Sequence, residues 1–179
     1  MTDLGLLGPE NTFHDLARKR FLPHLNPFYF KTFEEIFQAL KSGEINQALI
    51  ALRNSHSGIV SNNEEIIQQK GLKILEEFEL PVNLCLGSLY PNTIETVKRI
   101  FSHPMAIKET TAFFSNYSHI KFVASSSTAG AIEELRNSHD QRAGVISSKE
   151  ALQEQQFLII SENIQDEAQN STTFGLISY

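Results

Sequence analysis

Five short segments of this 179-residue chain gather side chains able to donate hydrogen bonds to an anion: Glu10-Asn11-Thr12, Asn54-Ser55, Ser102-His103, Ser126-Ser127-Thr128 and Asn170 to Thr173. They are expected where strands give way to loops or helices, and there unpaired backbone N–H groups add further donors. Hydroxyls, amides and free N–H groups are what a substrate carboxylate or a departing hydroxyl would require. Taken singly, each segment is equally an ordinary helix cap or turn.

Other chemistries find no support in the residue order. No Gly-rich loop ends in Gly-Lys-Ser, no His-Glu-x-x-His occurs, and no Gly-x-Ser-x-Gly follows an apolar run. His14, His24, His119 and His139 have no Cys, Asp or Glu at ligand spacing, so surface or helix-end places are expected and a metal centre is not. Cys85 is alone within the apolar run Pro81 to Leu89, which excludes an intramolecular disulfide and suggests a buried structural thiol.

Charge narrows the partners. The net charge of -6 and pI near 5.5, with scattered basic residues, argue against a nucleic-acid partner, because phosphate binding needs clustered Lys and Arg. A small anion remains compatible, since a few aligned N–H groups outweigh a diffuse negative surface locally. The start MTDLGLLGPEN lacks a basic, apolar leader and no run reaches membrane-spanning length, so a cytoplasmic chain without a membrane partner is expected.

The elements that must position these segments follow from apolar periodicity and stop signals. Leu4 to Leu7 reads as a strand ended by Gly8-Pro9, followed by a helix from Thr12 to Phe21. A strand at Phe28 to Phe30, a helix from Thr32 to Lys41 stopped at Ser42-Gly43, a strand at Gln47 to Leu52 and a helix near Asn62 to Lys70 continue the alternation. Leu72 to Leu89 reads as extended and interrupted at Pro81, which cannot donate to a ladder and marks an edge, bend or crossing. Helices are then expected at Thr93 to Phe101, Pro104 to Phe114, Ser127 to Arg136 and Ser148 to Gln155, with strands at Lys121 to Ser125, Ala143 to Ser147, Phe157 to Ile160 and Phe174 to Ile177. The alternation implies an α/β chain with mostly parallel sheets.

The segments LGPENTFHDLA, LRNSHSGIV, ELPVNLCL, SHPMAI, SSSTAGA and NSTTF occur in an order and spacing that resembles the prephenate dehydratase catalytic domain over essentially the whole chain. Gly8, Pro9, Thr12, Phe13, Asn54, Ser55, Gly58, Leu80, Pro81, Ser102, His103, Pro104, Ala106, Ser127, Thr128, Ala129, Thr172 and Phe174 match that pattern. Asn11, His14, Ala51, Arg53, Met105 and Thr173 depart from it, standing where the family writes Gly, Ser, Pro, Glu, Gln and Arg. The resemblance implies two α/β lobes around a cleft, like type II periplasmic binding proteins. Residues 1–80 with 160–179 would form lobe 1 and residues 81–159 lobe 2. It also implies a chain without the family's frequent ACT regulatory domain, and a homodimer with an edge strand near Leu80 to Leu89.

The implied activity is a cofactor-free lyase step: prephenate, a dianion, loses its ring hydroxyl and carbon dioxide to give phenylpyruvate in phenylalanine biosynthesis. Thr172 aligns with the family's essential threonine and would hydrogen-bond the leaving hydroxyl, acting by position as much as acidity. Arg53, Asn54, Ser55, Ser102, His103, Ser127, Thr128, Thr173, Phe174 and Thr12 complete the implied substrate contacts. Phe13, Phe174 and Met105 read first as core. The loss of Arg at Thr173 beside the gain of Arg53 suggests that a cation moved between motifs. Two alternatives stay open: a non-aromatising prephenate decarboxylase, and a small-anion-binding module without turnover.

Overall fold

The computed structural model describes residues 3–179. Its contacts divide the chain into two compact units, the chain up to Val82 with Gln169–Tyr179, and Asn83–Ala168. The expected lobe 1 began at residue 1, and residues 1–2 lie outside the described residues.

In the first unit, β1 (Asp3–Leu7), α1 (Phe13–Phe21), β2 (Asn26–Phe30), α2 (Phe33–Ser42), β3 (Gln47–Asn54), the short β4 (Gly58–Ile59), α3 (Asn63–Gln69) and β5 (Lys73–Pro81) follow in order. The final strand β11 (Ser171–Ser178) joins them, giving a sheet ordered β2-β1-β3-β11-β5 with β4 on β3. Thr12 and Thr32 cap α1 and α2 through their hydroxyls, and Gly43 ends α2 with φ 74, a left-handed position that favours glycine.

The strands bury side chains on both faces. Ile50, Leu52 and Ile177 pack under α2 and α3 with Ile36, Phe37, Leu40 and Ile67, while Leu4, Leu6, Leu49, Ala51, Leu80, Phe174 and Leu176 pack under α1 with Ala17 and Leu22. A sheet covered on both sides explains why β1 and β3 read as continuous apolar runs.

The second unit contains β6 (Leu84–Ser88), β7 (Arg99–Ser102), α4 (Pro104–Lys108), α5 (Thr111–Phe114), β8 (Lys121–Ala124), α6 (Thr128–Ser138), β9 (Ala143–Ser148), α7 (Lys149–Glu154) and β10 (Leu158–Ser161). Its sheet runs β10-β6-β9-β7-β8 around a core of Cys85, Phe101, Ala131, Ile132, Leu135, Val145 and Leu152. Cys85 is buried and free, and burial pushes its thiol above the usual range, as expected of a structural cysteine.

Four expectations need correcting. Both sheets are mixed, because β11 runs antiparallel to β3 and β5, and β6 antiparallel to β9 and β10. The helix expected at Thr93 to Phe101 is a turn followed by β7, whose Ile100 and Phe101 are buried; a four-residue buried strand and a piece of buried helix share the same apolar spacing. The helix expected from Pro104 to Phe114 is two short helices, broken at Glu109-Thr110, where the Thr110 hydroxyl returns to the Ala106 carbonyl. The edge strand expected near Leu80 to Leu89 is not one element: β5 lies on an edge of its sheet and β6 inside the other, with the division at Pro81 as expected.

Candidate active site

Thr172 and Asn54 face each other across the β3–β11 ladder. The Asn54 Nδ2 donates to Thr172 Oγ1 at 3.0 Å, to Asn170 Oδ1 at 2.8 Å and to the Ser171 carbonyl at 3.0 Å. Its Oδ1 accepts from the His56 and Ser57 N–H groups, both at 2.9 Å, and from the Ser57 hydroxyl at 3.2 Å. With both ends of the amide committed, its orientation is fixed, and Nδ2 must be the atom facing Thr172. Thr172 Oγ1 therefore accepts from Asn54, and its own proton, which no described residue accepts, is directed elsewhere. That leaves a half-buried hydroxyl held as a donor.

Ser55 serves the same assembly differently. Its hydroxyl donates to the Gln169 carbonyl and accepts from the Ser171 N–H, while its backbone N–H reaches the Ser171 carbonyl. These three bonds clasp the returning segment to the end of β3, next to Thr172. Asn170, 5% exposed, reads from the sequence only as part of its polar segment; its Oδ1 accepts from the same Asn54 amide that serves Thr172. The same polar segment that gave Thr172 contained it, but its pairing partner is 116 positions away in sequence.

A register shift separates this pair from its neighbours. Thr173 stands opposite Arg53, yet Phe174 stands opposite Ala51, so Leu52 is an extra residue in β3. Such a bulge reverses the alternation of side chains on one strand. Arg53 is thereby turned to the α2/α3 face, where its guanidinium pairs with Glu64 of α3 and Glu77 of β5. Asn54 is turned to the α1 face with Thr172 and Phe174. Arg53 and Thr173 are thus cross-strand neighbours, but on the face opposite Thr172. Arg53, expected among the substrate contacts, has its guanidinium engaged by Glu64 and Glu77.

The Glu64 hydrogen bond leads the causes that raise the Arg53 pKa, ahead of the Glu77 one. Arg53→Glu is expected to crowd three carboxylates together and lower stability by about 1 kcal/mol, since the cluster is half-exposed. Adding Thr173→Arg opposite it should restore most of that loss in a urea titration, because the cross-strand position lies within reach of all three.

Thr12, Phe174 and His14 surround the start of α1. Thr12 is a cap: its hydroxyl accepts from the Asp15 N–H and donates to the Leu7 carbonyl. Phe174 is 1% exposed and belongs to the core, as expected. His14 stands at the second position of α1, a helix-end place as expected, and is half-buried. Its ring meets the Phe174 ring edge-on with centroids 5.0 Å apart and the Phe33 ring at 5.6 Å, and its buried Nε2 has no partner among the described residues.

Burial pushes the His14 pKa down to about 4, so the ring is neutral in the folded chain. The unfolded chain binds this proton near pH 6.5, so the stability is complete above that value and is lost as pH falls towards 4. Urea unfolding at pH 7.5 and 5.0 should show a loss of about 2 kcal/mol, absent in His14→Phe.

The sequence-derived residues of the second unit have identifiable local tasks. The Ser127 hydroxyl caps α6 by accepting from the Gly130 N–H at 2.8 Å, with Thr128 buried in the first turn. Ser102 is fully buried and donates to the Ile146 carbonyl at 3.0 Å. His103 Nδ1 accepts from the Met105 N–H, which assigns the proton of the neutral ring to Nε2 and makes that atom a donor. Burial lowers the His103 pKa, favouring that neutral form. Met105, expected in the core, is 39% exposed, because α4 buries Ala106 instead.

No group of three His, Cys, Asp or Glu suited to a metal occurs among the described residues, and no described helix is long and apolar enough to cross a membrane. The family model described as prephenate dehydratase matches residues 4–179. A prephenate dehydratase of Methanocaldococcus jannaschii is 30% identical over 175 residues, covering 94% of this chain and 62% of the relative. The structure of a prephenate dehydratase from Arthrobacter aurescens, in complex with L-Phe, superimposes with a TM-score of 0.88 at 22% identity, over 99% of this chain and 60% of that one. A periplasmic substrate-binding protein of an ABC transporter from Coxiella burnetii, at 11% identity and a TM-score of 0.52 over 99% of this chain and 84% of that one, shares the fold alone. The chain spans between 39% and 62% of the length of the curated relatives it matches. With a dehydratase fold in both units and the family model aligned from residue 4 to residue 179, the chain belongs to the prephenate dehydratase family.

Proposed function

We propose that this chain converts prephenate to phenylpyruvate, water and carbon dioxide, a step of phenylalanine biosynthesis, within one dehydratase domain made of the two units. One observation carries the reading: Thr172 Oγ1 is supplied with a hydrogen bond by Asn54 and keeps its own proton for an outside acceptor. The departing ring hydroxyl of prephenate is such an acceptor.

In this step the ring C–O bond breaks and the C–C bond to the ring carboxylate breaks. The electron pair of the latter enters the ring, which becomes aromatic, and carbon dioxide leaves. The hydroxyl departs with a proton from solvent and becomes water. Thr172 stabilises the charge growing on that oxygen by hydrogen bonding and retains its own proton, as the high pKa of an alcohol requires. Aromatisation supplies the driving force, so the reading calls on no cofactor. It places the enzyme in the cytoplasm as a homodimer, with a small dianion as its partner and neither nucleic acid nor membrane.

The Arg53 and Thr173 pair is assigned to holding α3 and β5 rather than to substrate. Incubation with prephenate at neutral pH, followed by absorbance and mass analysis, tests the function. Phenylpyruvate is expected. A decarboxylated, non-aromatic product would move the chain to the decarboxylases, and unchanged prephenate bound tightly would make it a binding module.

A further inference from the structure

Asn63 is fully buried at the first position of α3, although it is neither a cap nor a neighbour of Thr172 in sequence. Its Nδ2 donates to the Ala51 carbonyl at 2.8 Å. The next carbonyl along β3, that of Leu52, accepts from the Val60 N–H at 2.9 Å. In a regular strand successive carbonyls point to opposite edges. Here two in a row are taken up by the same segment, residues 60–63, at the place where Leu52 is the extra residue of the bulge.

The β4 strand is too short to supply both donors through its backbone. It pairs Arg53 with Ile59 and Asn54 with Gly58, and Val60 serves Leu52. The Ala51 carbonyl is left to a side chain, and Asn63 fills that place, held by its own N–H to the Val60 carbonyl at 3.0 Å. Ser61 and Asn62, with φ of 51 and 53, turn the chain so that Asn63 arrives there.

We infer that Asn63 is a positioning residue of the active site: by satisfying the Ala51 carbonyl it holds the β3 bulge, and the bulge decides that Asn54, not Arg53, shares a face with Thr172. Loss of the donor leaves a buried carbonyl unpaired, which favours return to unbroken alternation. Continuing the alternation from Ala51 would carry Arg53 towards the α1 face and Asn54 away from it. The hydroxyl of Thr172 would then lose its fixed donor.

This inference rests on the proposed role of Thr172, so its test includes a readout independent of turnover. Asn63→Leu keeps the branched shape without the donor, and Asn63→Ala removes the donor with less bulk should the first not fold. In both, NMR is expected to show faster solvent exchange of the Asn54 side-chain amide protons and of the His56 and Ser57 N–H groups. Phenylpyruvate formation should fall about 100-fold in kcat, the scale set by an ångström of misplacement, with KM changing far less. Ile67→Ala, a cavity in the same helix, is the stability-matched control and should leave the Asn54 exchange and kcat unchanged. Unaltered Asn54 exchange in the Asn63 variants, or equal effects from Ile67→Ala, would overturn the inference. An inactive parent protein with Asn54 exchange still governed by Asn63 would sink the proposed function and leave the bulge mechanism standing.

Discussion

Thr172→Val is expected to lower kcat for phenylpyruvate formation by about 10³-fold while the protein stays folded. Valine has the shape of threonine and keeps a β-branched residue in β11, so packing against Leu80 and Asn54 is preserved. The cost to folding should stay below about 1.5 kcal/mol, because Asn54 Nδ2 retains Asn170 Oδ1 and the Ser171 carbonyl as acceptors. What disappears is the donor aimed at the departing hydroxyl. Thr172→Ser should restore part of the rate, since the Asn54 bond can still orient its hydroxyl, although its extra rotamer freedom weakens the placement. Stopped-flow absorbance under saturating prephenate, with circular dichroism as the fold control, decides it. A Thr172→Val enzyme as fast as the parent would remove Thr172 from the chemistry.

The largest effect on stability is expected at Asp15. Its carboxylate is fully buried and receives the Asn11 N–H at 3.0 Å, the Arg18 guanidinium at 2.8 Å and the Tyr29 hydroxyl at 2.8 Å, with Lys19 Nζ at 3.3 Å. It thereby joins α1, β2 and the loop entering α1. Asp15→Ala leaves Arg18 and Tyr29 without their common acceptor and should cost about 3–5 kcal/mol. In a chain of this size that is a fall of roughly 10 °C or more in Tm by calorimetry.

The pH dependence of Asp15 has the opposite origin from that of His14. Burial alone would raise the carboxyl, but the Asn11, Arg18 and Tyr29 hydrogen bonds and the Lys19 charge outweigh it, and the net shift is downward. A depressed carboxyl contributes stability that is present above its unfolded pKa of about 3.9 and is lost as pH falls through the folded value. Acid unfolding should therefore show two limbs. The one between pH 6.5 and 4 vanishes in His14→Phe, and the one below it vanishes in Asp15→Ala.

The element order of the first unit was legible because α1 and α2 carry local start or stop residues. Thr12, Thr32 and Gly43 act locally, and their chemistry depends on neighbours one to four positions away. The second unit was less legible at Arg99–Ser102, where four residues are too few for a periodicity to distinguish strand from helix. Strand direction was hidden for a related reason: β11 enters the first sheet between β3 and β5, and nothing near Ser171–Ser178 records that insertion.

By itself the sequence determined the family and singled out the segment Asn170 to Phe174, with Thr172 within it, as the candidate for the chemistry, since these depend on residue identity and order. Tertiary structure alone decided which residues meet that hydroxyl. Arg53 and Asn54 are adjacent in the chain and both suited to anions, yet one extra residue in β3 sends them to opposite faces of the sheet. The choice is made by a hydrogen bond from Asn63 to Ala51, across twelve positions, and by a strand arriving more than a hundred positions later. A strand's side chains alternate with period two, so a single inserted residue reverses every assignment beyond it, and only the paired strands reveal where the insertion falls.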